Sequence, residues 1–174
     1  MKRIIVIGSS GAGKTTLARE LAAKLDIPHV ELDSLYHQAN WRPASPEDFL
    51  ASVRAATKND SWILCGNYYS RIGQEIWPRA DTIVWCNYSF KRVFWQLLRR
   101  TLRRSVRRTE LWNGNRERLS ALFTKDSIIL WMLQNWKKQK TRYEEMFLRP
   151  TVSATLIQLR NPKQKQKFLE NIDK

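Results

Sequence analysis

Residues 4–25 read IIVIGSSGAGKTTLARELAAKL, and no other stretch restricts the fold as strongly. Ile4–Ile7 is a short, wholly apolar, β-branched run, the composition of a central strand in a parallel sheet covered on both faces. Leu17, Leu21, Ala22 and Leu25 then recur at helical spacing. Between strand and helix, Gly8-Ser9-Ser10-Gly11-Ala12-Gly13-Lys14-Thr15 satisfies G-x-x-x-x-G-K-[ST] at every fixed position. The glycines let the backbone curl so that successive N–H groups point inward, and the helix N-terminus adds its positive dipole end. Together they make an anion cradle for a β-phosphate. Lys14 supplies a mobile charge for the β- and γ-phosphates, and Thr15 a hydroxyl for Mg²⁺. A glycine-rich turn with a chance lysine needs neither the strand before it nor the helix after it. The stretch therefore reads as a P-loop, and Gly8, Ser9, Ser10, Gly11, Ala12, Gly13, Lys14, Thr15 and Thr16 are the expected contacts for ATP.

At 174 residues there is room for one α/β domain with a sizeable core, which sets the expected extent at residues 1–174. No run approaches the length of a membrane-spanning helix. Met1-Lys2-Arg3 and the apolar residues after it mimic a signal peptide, but the apolar stretch is too short and runs into the phosphate loop. Cys65 and Cys86 each sit in an apolar, strand-like segment and read as buried thiols in a reducing compartment. A cytoplasmic protein is expected.

The charge is concentrated. Residues 1–90 hold 10 Lys/Arg against 9 Asp/Glu, a net of +1, whereas residues 91–142 hold 15 against 3, a net of +12. A nucleotide-binding core of ordinary charge thus carries a strongly basic arm. Its partner is polyanionic: nucleotide phosphates, a nucleic acid or an anionic membrane surface.

Strand and helix signals alternate along the chain. Ile27–Asp33 reads as a second strand, with Glu31 and Asp33 on one face by period two. Residues 46–58 form a helix that Ser45 can cap and Pro46 can open, and residues 34–60 form an acceptor-side helical segment. Trp62–Gly66 and Thr82–Cys86 are the third and fourth strands. A basic helical stretch from about Lys91 to Phe147, broken near Leu111–Asn115, precedes a fifth strand at Thr155–Leu159 and a closing helix at Lys163–Ile172. The expected fold is α/β, a three-layer sandwich around a parallel, doubly wound sheet of five strands.

The P-loop, the acidic pair one helix later and the arginine-rich helical segment after the fourth strand resemble the small kinases of the adenylate kinase and shikimate kinase group. Leu32-Asp33-Ser34-Leu35, Trp41 and Gly66-Asn67-Tyr68 are similar to signatures of a bacterial adenylate-kinase-like subgroup, some members of which are labelled DNA topology modulation proteins. The resemblance implies a P-loop NTPase fold with strand order 2-3-1-4-5, a mobile arginine-rich lid over residues 91–142, and transfer of the ATP γ-phosphoryl group to a small acceptor. The subgroup's label does not establish a substrate.

Glu31 and Asp33 follow Pro28 by three and five positions, the offsets of the paired acids in shikimate kinase-like proteins. Parallel strands end on the side where ligands bind, so Asp33 should emerge beside the phosphate loop. There it could orient an acceptor hydroxyl or accept its proton, and Glu31 could hold a Mg²⁺-bound water. The competing reading leaves Glu31 in solvent and gives Asp33 the cap of the next helix. Gly66 admits close ligand approach at the end of the third strand, and Asn67 can donate and accept hydrogen bonds. Tyr68 and Tyr69 either simply pack or serve to stack on a base or line an acceptor pocket, and Arg71 is either a phosphate or carboxylate contact or a solvated charge. Related chains often carry an acid where this one has Cys65, which leaves more of the Mg²⁺ coordination to Thr15, waters and the acids of the second strand.

Arg99–Arg108 repeats RRxx. A four-residue repeat on a 3.6-residue helix keeps the pairs on one slowly drifting face. Like charges at i,i+4 repel, so the run costs stability until an anion neutralises it. An arginine that reaches a migrating phosphoryl group raises rate by roughly 10³–10⁵. Arg100, Arg103, Arg104 and Arg107 are the lid candidates by position, with Leu111–Arg116 as the tip turn. Arg160 and Pro162, after the fifth strand, occupy the place where the related kinases pack adenine. Two functions follow: a small-molecule kinase, or a nucleic-acid-binding P-loop ATPase or polynucleotide kinase that uses the basic arm.

Overall fold

The computed structural model describes residues 1–117, 127–148 and 153–172. Strands β1 (Arg3–Gly8), β2 (His29–Glu31), β3 (Trp62–Cys65), β4 (Thr82–Cys86) and β5 (Thr155–Leu159) form one parallel sheet in the order β2-β3-β1-β4-β5. This is the expected topology. Helices α1 (Lys14–Leu25), α2 (Leu32–Tyr36), α3 (Pro46–Ala56), α4 (Tyr69–Ile76), α5 (Phe90–Val106), α6 (Ile128–Leu148) and α7 (Pro162–Glu170) join the strands. Alternate residues of β1 feed opposite faces. Ile5 and Ile7 join Leu64, Ile83, Trp85, Phe49 and Trp62 on one side, while Ile4 and Val6 join Ile63, Val84, Leu17 and Leu21 on the other. Both faces are dry, which is why the strand reads as a continuous apolar run instead of alternating.

The parallel register lines up the strand ends. Val6 pairs with Cys65, Glu31 with Cys65, Gly8 with Cys86, and Cys86 with Leu159. The loops after all five strands therefore open on one edge of the sheet, the edge where α/β folds bind ligands.

Three elements differ from expectation. The second strand stops at Glu31 because Leu32, 2% exposed, turns into the core and starts α2. Glu31 and Asp33 consequently do not share a strand face. Gly66 makes the turn fit: a Cβ there would lie 2.9 Å from Leu32 Cβ, so its bare backbone makes room for Leu32. Helix α4 was not expected, although Ile72 and Ile76 lie one turn apart and are both buried. The break in the basic stretch begins earlier than expected, before Leu111. Helix α5 ends at Val106, with Arg108 left-handed (φ 47°) and Thr109 N–H bonded to Arg104 O, and α6 starts only at Ile128. Part of the basic arm, residues 118–126, lies outside the described residues.

Candidate active site

The phosphate loop is held from both sides. Below it, Asn67 clips the end of β1: Gly8 N–H donates to Asn67 Oδ1 (3.1 Å), and Asn67 Nδ2 donates to Gly8 O (2.6 Å). Its amide faces the loop backbone and serves as a loop anchor. Above it, α5 lies so close to Gly11 (φ 86°) that a Cβ would meet Leu97 Cβ at 2.7 Å and Val93 O at 2.9 Å. Ser9 Oγ reaches Gln139 of α6 at 3.3 Å. No side chain caps α1 at Gly13, so the first-turn N–H groups point to the loop's hollow. Lys14 Nζ folds onto Ser9 O at 3.2 Å and pairs with no carboxylate among the described residues. An uncapped helix start, an uncommitted ammonium and a curled backbone fit a polyphosphate.

Thr15 Oγ1 lies 3.7 Å from Cys65 Sγ, the position where a carboxylate is missing. Burial pushes the Cys65 thiol up to about 11, so it stands here as a neutral group. Among the described residues no cluster of three His, Cys, Asp or Glu side chains could hold a metal. The donor set suits Mg²⁺ that keeps its waters and phosphate oxygens and takes one hydroxyl from Thr15. Glu31, the other expected metal residue, is paired with Arg19 at 2.7 Å.

Asp33 sits in the first turn of α2 and caps nothing; Ser34 Oγ, not Asp33, bonds back to Glu31 O. Its Oδ1 accepts from Tyr68 Oη at 2.7 Å. The Tyr68 ring packs on Tyr36 (4.9 Å) and Phe49 (5.0 Å), and the hydroxyl aims the carboxylate. Burial, then the neighbouring Asp33 charge, drives the Tyr68 phenol far above its ordinary range, so it remains a donor. Arg71 lies 4.9 Å over the Tyr36 ring and donates to Tyr36 Oη at 3.0 Å.

The arginine run divides by face. Val93, Leu97, Thr101 and Ser105 are the buried residues of α5. Arg100 and Arg104 flank that stripe, while Arg99, Arg103 and Arg107 are exposed. Arg104 pairs with Glu117 at 3.1 Å. Arg100 is drawn below the ordinary guanidinium range by burial and by Arg104, against the pull of Glu117, Asp33 and Glu31. Its Nε is buried without a hydrogen-bond partner among the described residues. Of the four lid candidates, Arg100 and Arg104 lie beside the buried stripe, and Arg103 and Arg107 face away.

The tip turn reaches somewhere the sequence did not indicate. Asn113 Nδ2 donates to Ser34 O (3.2 Å) and to His37 O, Asn115 Nδ2 to Gln38 O (2.9 Å), and Trp41 N–H to Asn115 Oδ1 (2.8 Å). His37 lies between Trp41 and Trp112, stacked on the latter at 6.1 Å. The turn after α5 is thus docked on the segment that carries Asp33. At the far side, Arg160 donates to Gln158 Oε1 (3.1 Å), and Pro162 opens α7 under the Asn161 cap. Leu159 O accepts from Asn87 N–H, which sets this loop beside the end of β4.

The strand edge thus gathers a P-loop, the Asp33–Tyr68 pair and the arginine-bearing α5 packed on Gly11. A family model described as "ATPase family associated with various cellular activities (AAA)" matches residues 4–86, from β1 to the end of β4. A shikimate kinase from Enterococcus faecalis is 53% identical over 34 residues, 20% of this chain and 20% of that protein, so the match spans about a fifth of that relative's length. Among solved structures, shikimate kinase from Bacteroides thetaiotaomicron superposes with a TM-score of 0.59 at 17% identity, over 97% of this chain and 94% of that one. Shikimate kinase from Acinetobacter baumannii in complex with shikimate gives 0.59 at 17% identity, over 98% and 89%. A gluconokinase from Sinorhizobium meliloti gives 0.51 at 16% identity, over 98% and 94%. The chain has the fold of the small P-loop kinases of the adenylate kinase-like kind.

Proposed function

We propose that the protein is an ATP-dependent kinase that passes the γ-phosphoryl group to a hydroxyl of a small acceptor, a nucleoside, nucleotide or other hydroxylated metabolite. The observation that carries this reading is the Tyr68–Asp33 contact at 2.7 Å, with the half-buried Arg100 on the helix that packs against Gly11 of the phosphate loop. A carboxylate whose one oxygen is held by a half-buried phenol presents its other oxygen in a fixed direction, as proton acceptor or orienting group for a hydroxyl. Gly11–Thr16 and Lys14 hold the polyphosphate, and Arg100 meets charge that gathers on the migrating group. Thr15 would offer its hydroxyl to Mg²⁺, which, when bound, would neutralise phosphate charge. The acceptor then lies between α2, the Tyr68 hydroxyl and α5. The names of the structural neighbours, two shikimate kinases and a gluconokinase, support a polyhydroxylated acceptor.

The test is Asp33→Asn. Phosphoryl transfer should fall by roughly 10²–10⁴ while ATP affinity stays unchanged. Full turnover in that variant would remove Asp33 from the mechanism.

A further inference from the structure

The outward face of α5 is not used by this chemistry. Lys91, Arg92, Trp95, Arg99, Leu102, Arg103, Val106 and Arg107 are all exposed, and the helical repeat places them on one side of the helix. No Asp or Glu occurs between residues 87 and 109. Arg99, Arg103 and Arg107 meet no carboxylate among the described residues, whereas the inward Arg104 is paired. The three form a ladder whose rungs are about 6 Å apart along the helix axis, close to the separation of successive phosphates on one nucleic-acid strand. Beside the ladder, Trp95 stands 64% exposed, with Leu102 and Val106 two and three turns further on.

We infer that this face of α5 binds single-stranded nucleic acid, with Arg99, Arg103 and Arg107 on successive phosphates and Trp95 stacked on a base. Charge complementarity selects a polyanion and rejects a second copy of this chain, whose equivalent face carries the same charge. Arginine in place of lysine favours phosphate held through a planar fork. An anionic lipid surface fits less well. The broad apolar side of α5 (Val93, Leu97, Thr101, Ser105) is spent in the protein, which leaves only Phe90, Trp95, Leu102 and Val106, interspersed with arginines, to enter a bilayer. An exposed indole has no use for bases stacked inside a duplex and every use for unstacked ones.

The experiment is an anisotropy titration of a labelled single-stranded oligonucleotide, with the full chain, across about 50–200 mM salt. The wild type should bind with affinity that falls steeply with salt. The triple variant Arg99→Ala/Arg103→Ala/Arg107→Ala should lose at least tenfold at low salt, and its log–log salt slope should be shallower by about 2, at roughly 0.7 per phosphate contact. Trp95→Ala should lose about fivefold or more with the slope unchanged. Lys163→Ala/Lys167→Ala, which removes exposed charge from α7, should leave the slope as it was. All three arginines are exposed, so single variants, each flattening the slope by about 0.7, report if the triple does not fold. Triple-variant binding equal to wild type would overturn the assignment. So would equal affinity for duplex with no contribution from Trp95, or capture by phosphatidylserine vesicles without oligonucleotide binding. Lys14→Ala, which disables the phosphate loop, should bind the oligonucleotide normally, so the outcome is independent of the kinase reading.

Discussion

Asp33 holds its place through one phenol and two aromatic neighbours, so Tyr68 can be tested apart from it. Tyr68→Phe keeps the ring between Tyr36 and Phe49 and deletes only the bond to Asp33. The loss should be about 1.5–3 kcal/mol of transition-state stabilisation, read as kcat with the Kd for ATP unchanged. Arg100→Ala should cost about 10³ or more in kcat, with Arg103→Ala costing far less; equal losses would void the inward–outward division of α5. The cysteines make a further test at this scale. Burial lifts Cys65 to about 11 and Cys86 to about 12. Both should resist a thiol reagent at pH 8 in the folded protein and react at once in denaturant. Residue types at the loop were legible because G-x-x-x-x-G-K-[ST] needs no partner to be recognised. Asn67 was not: an amide that clips Gly8 and an amide that contacts a ligand look alike until the fold brings residue 67 beneath residue 8.

At the level of elements, the strands buried on both faces, β1 and β4, carry their own signal, and β4 and β5 occur over the expected residues. The short pieces do not. Helix α2 exists because Leu32 finds the space above Gly66, a tertiary cause with no periodicity to read. The docking of the tip turn is likewise a long-range matter, residue 113 to residue 34 and residue 115 to residue 41. It holds Asn40, Trp41 and Asn113 at positive φ (58°, 59° and 55°). For Trp41, that backbone costs roughly 1–2 kcal/mol against the bonds it allows. The same junction gives a pH prediction. Burial lowers the pKa of His37, against the pull of Asp33, and burial lowers that of His29. A depressed folded-state value means the unfolded chain binds protons first. Stability is therefore full above pH 6.5 and declines as pH falls below it toward the folded-state values. Melting temperature should drop from pH 7.5 to pH 5.5, and His37→Gln should reduce that drop; an unchanged drop would separate His37 from it. At the loop, Gly11→Ala should weaken ATP binding and lower the melting temperature, because the obstructing atoms are Leu97 Cβ and the Val93 carbonyl, which cannot rotate aside.

For the molecule as a whole, two dry faces of one sheet fix the edge at which the P-loop, Asp33 and Tyr68 stand, and the arginines are divided between the two sides of a single helix. Trp62, in β3 with its side chain fully buried on one face of that sheet, illustrates the first: Trp62→Ala should destabilise by about 3–5 kcal/mol in a denaturant titration. The second was visible in the sequence only as a net charge of +12 over residues 91–142. A four-residue repeat drifts slowly around a helix, and which member of each pair turns inward depends on where α5 meets Gly11. The proposed acceptor site had no such signature, since α2, Tyr68 and α5, between which it is proposed to lie, are far apart in the chain. The most direct measurement is therefore transfer itself. Labelled phosphate from Mg²⁺-ATP would be followed into a panel of nucleosides, nucleoside monophosphates, hydroxylated metabolites and short oligonucleotides, with Lys14→Ala alongside. Stoichiometric phosphorylation of one small acceptor, lost in the variant, is the predicted result. ATP binding without label transfer to any small acceptor would contradict the kinase reading.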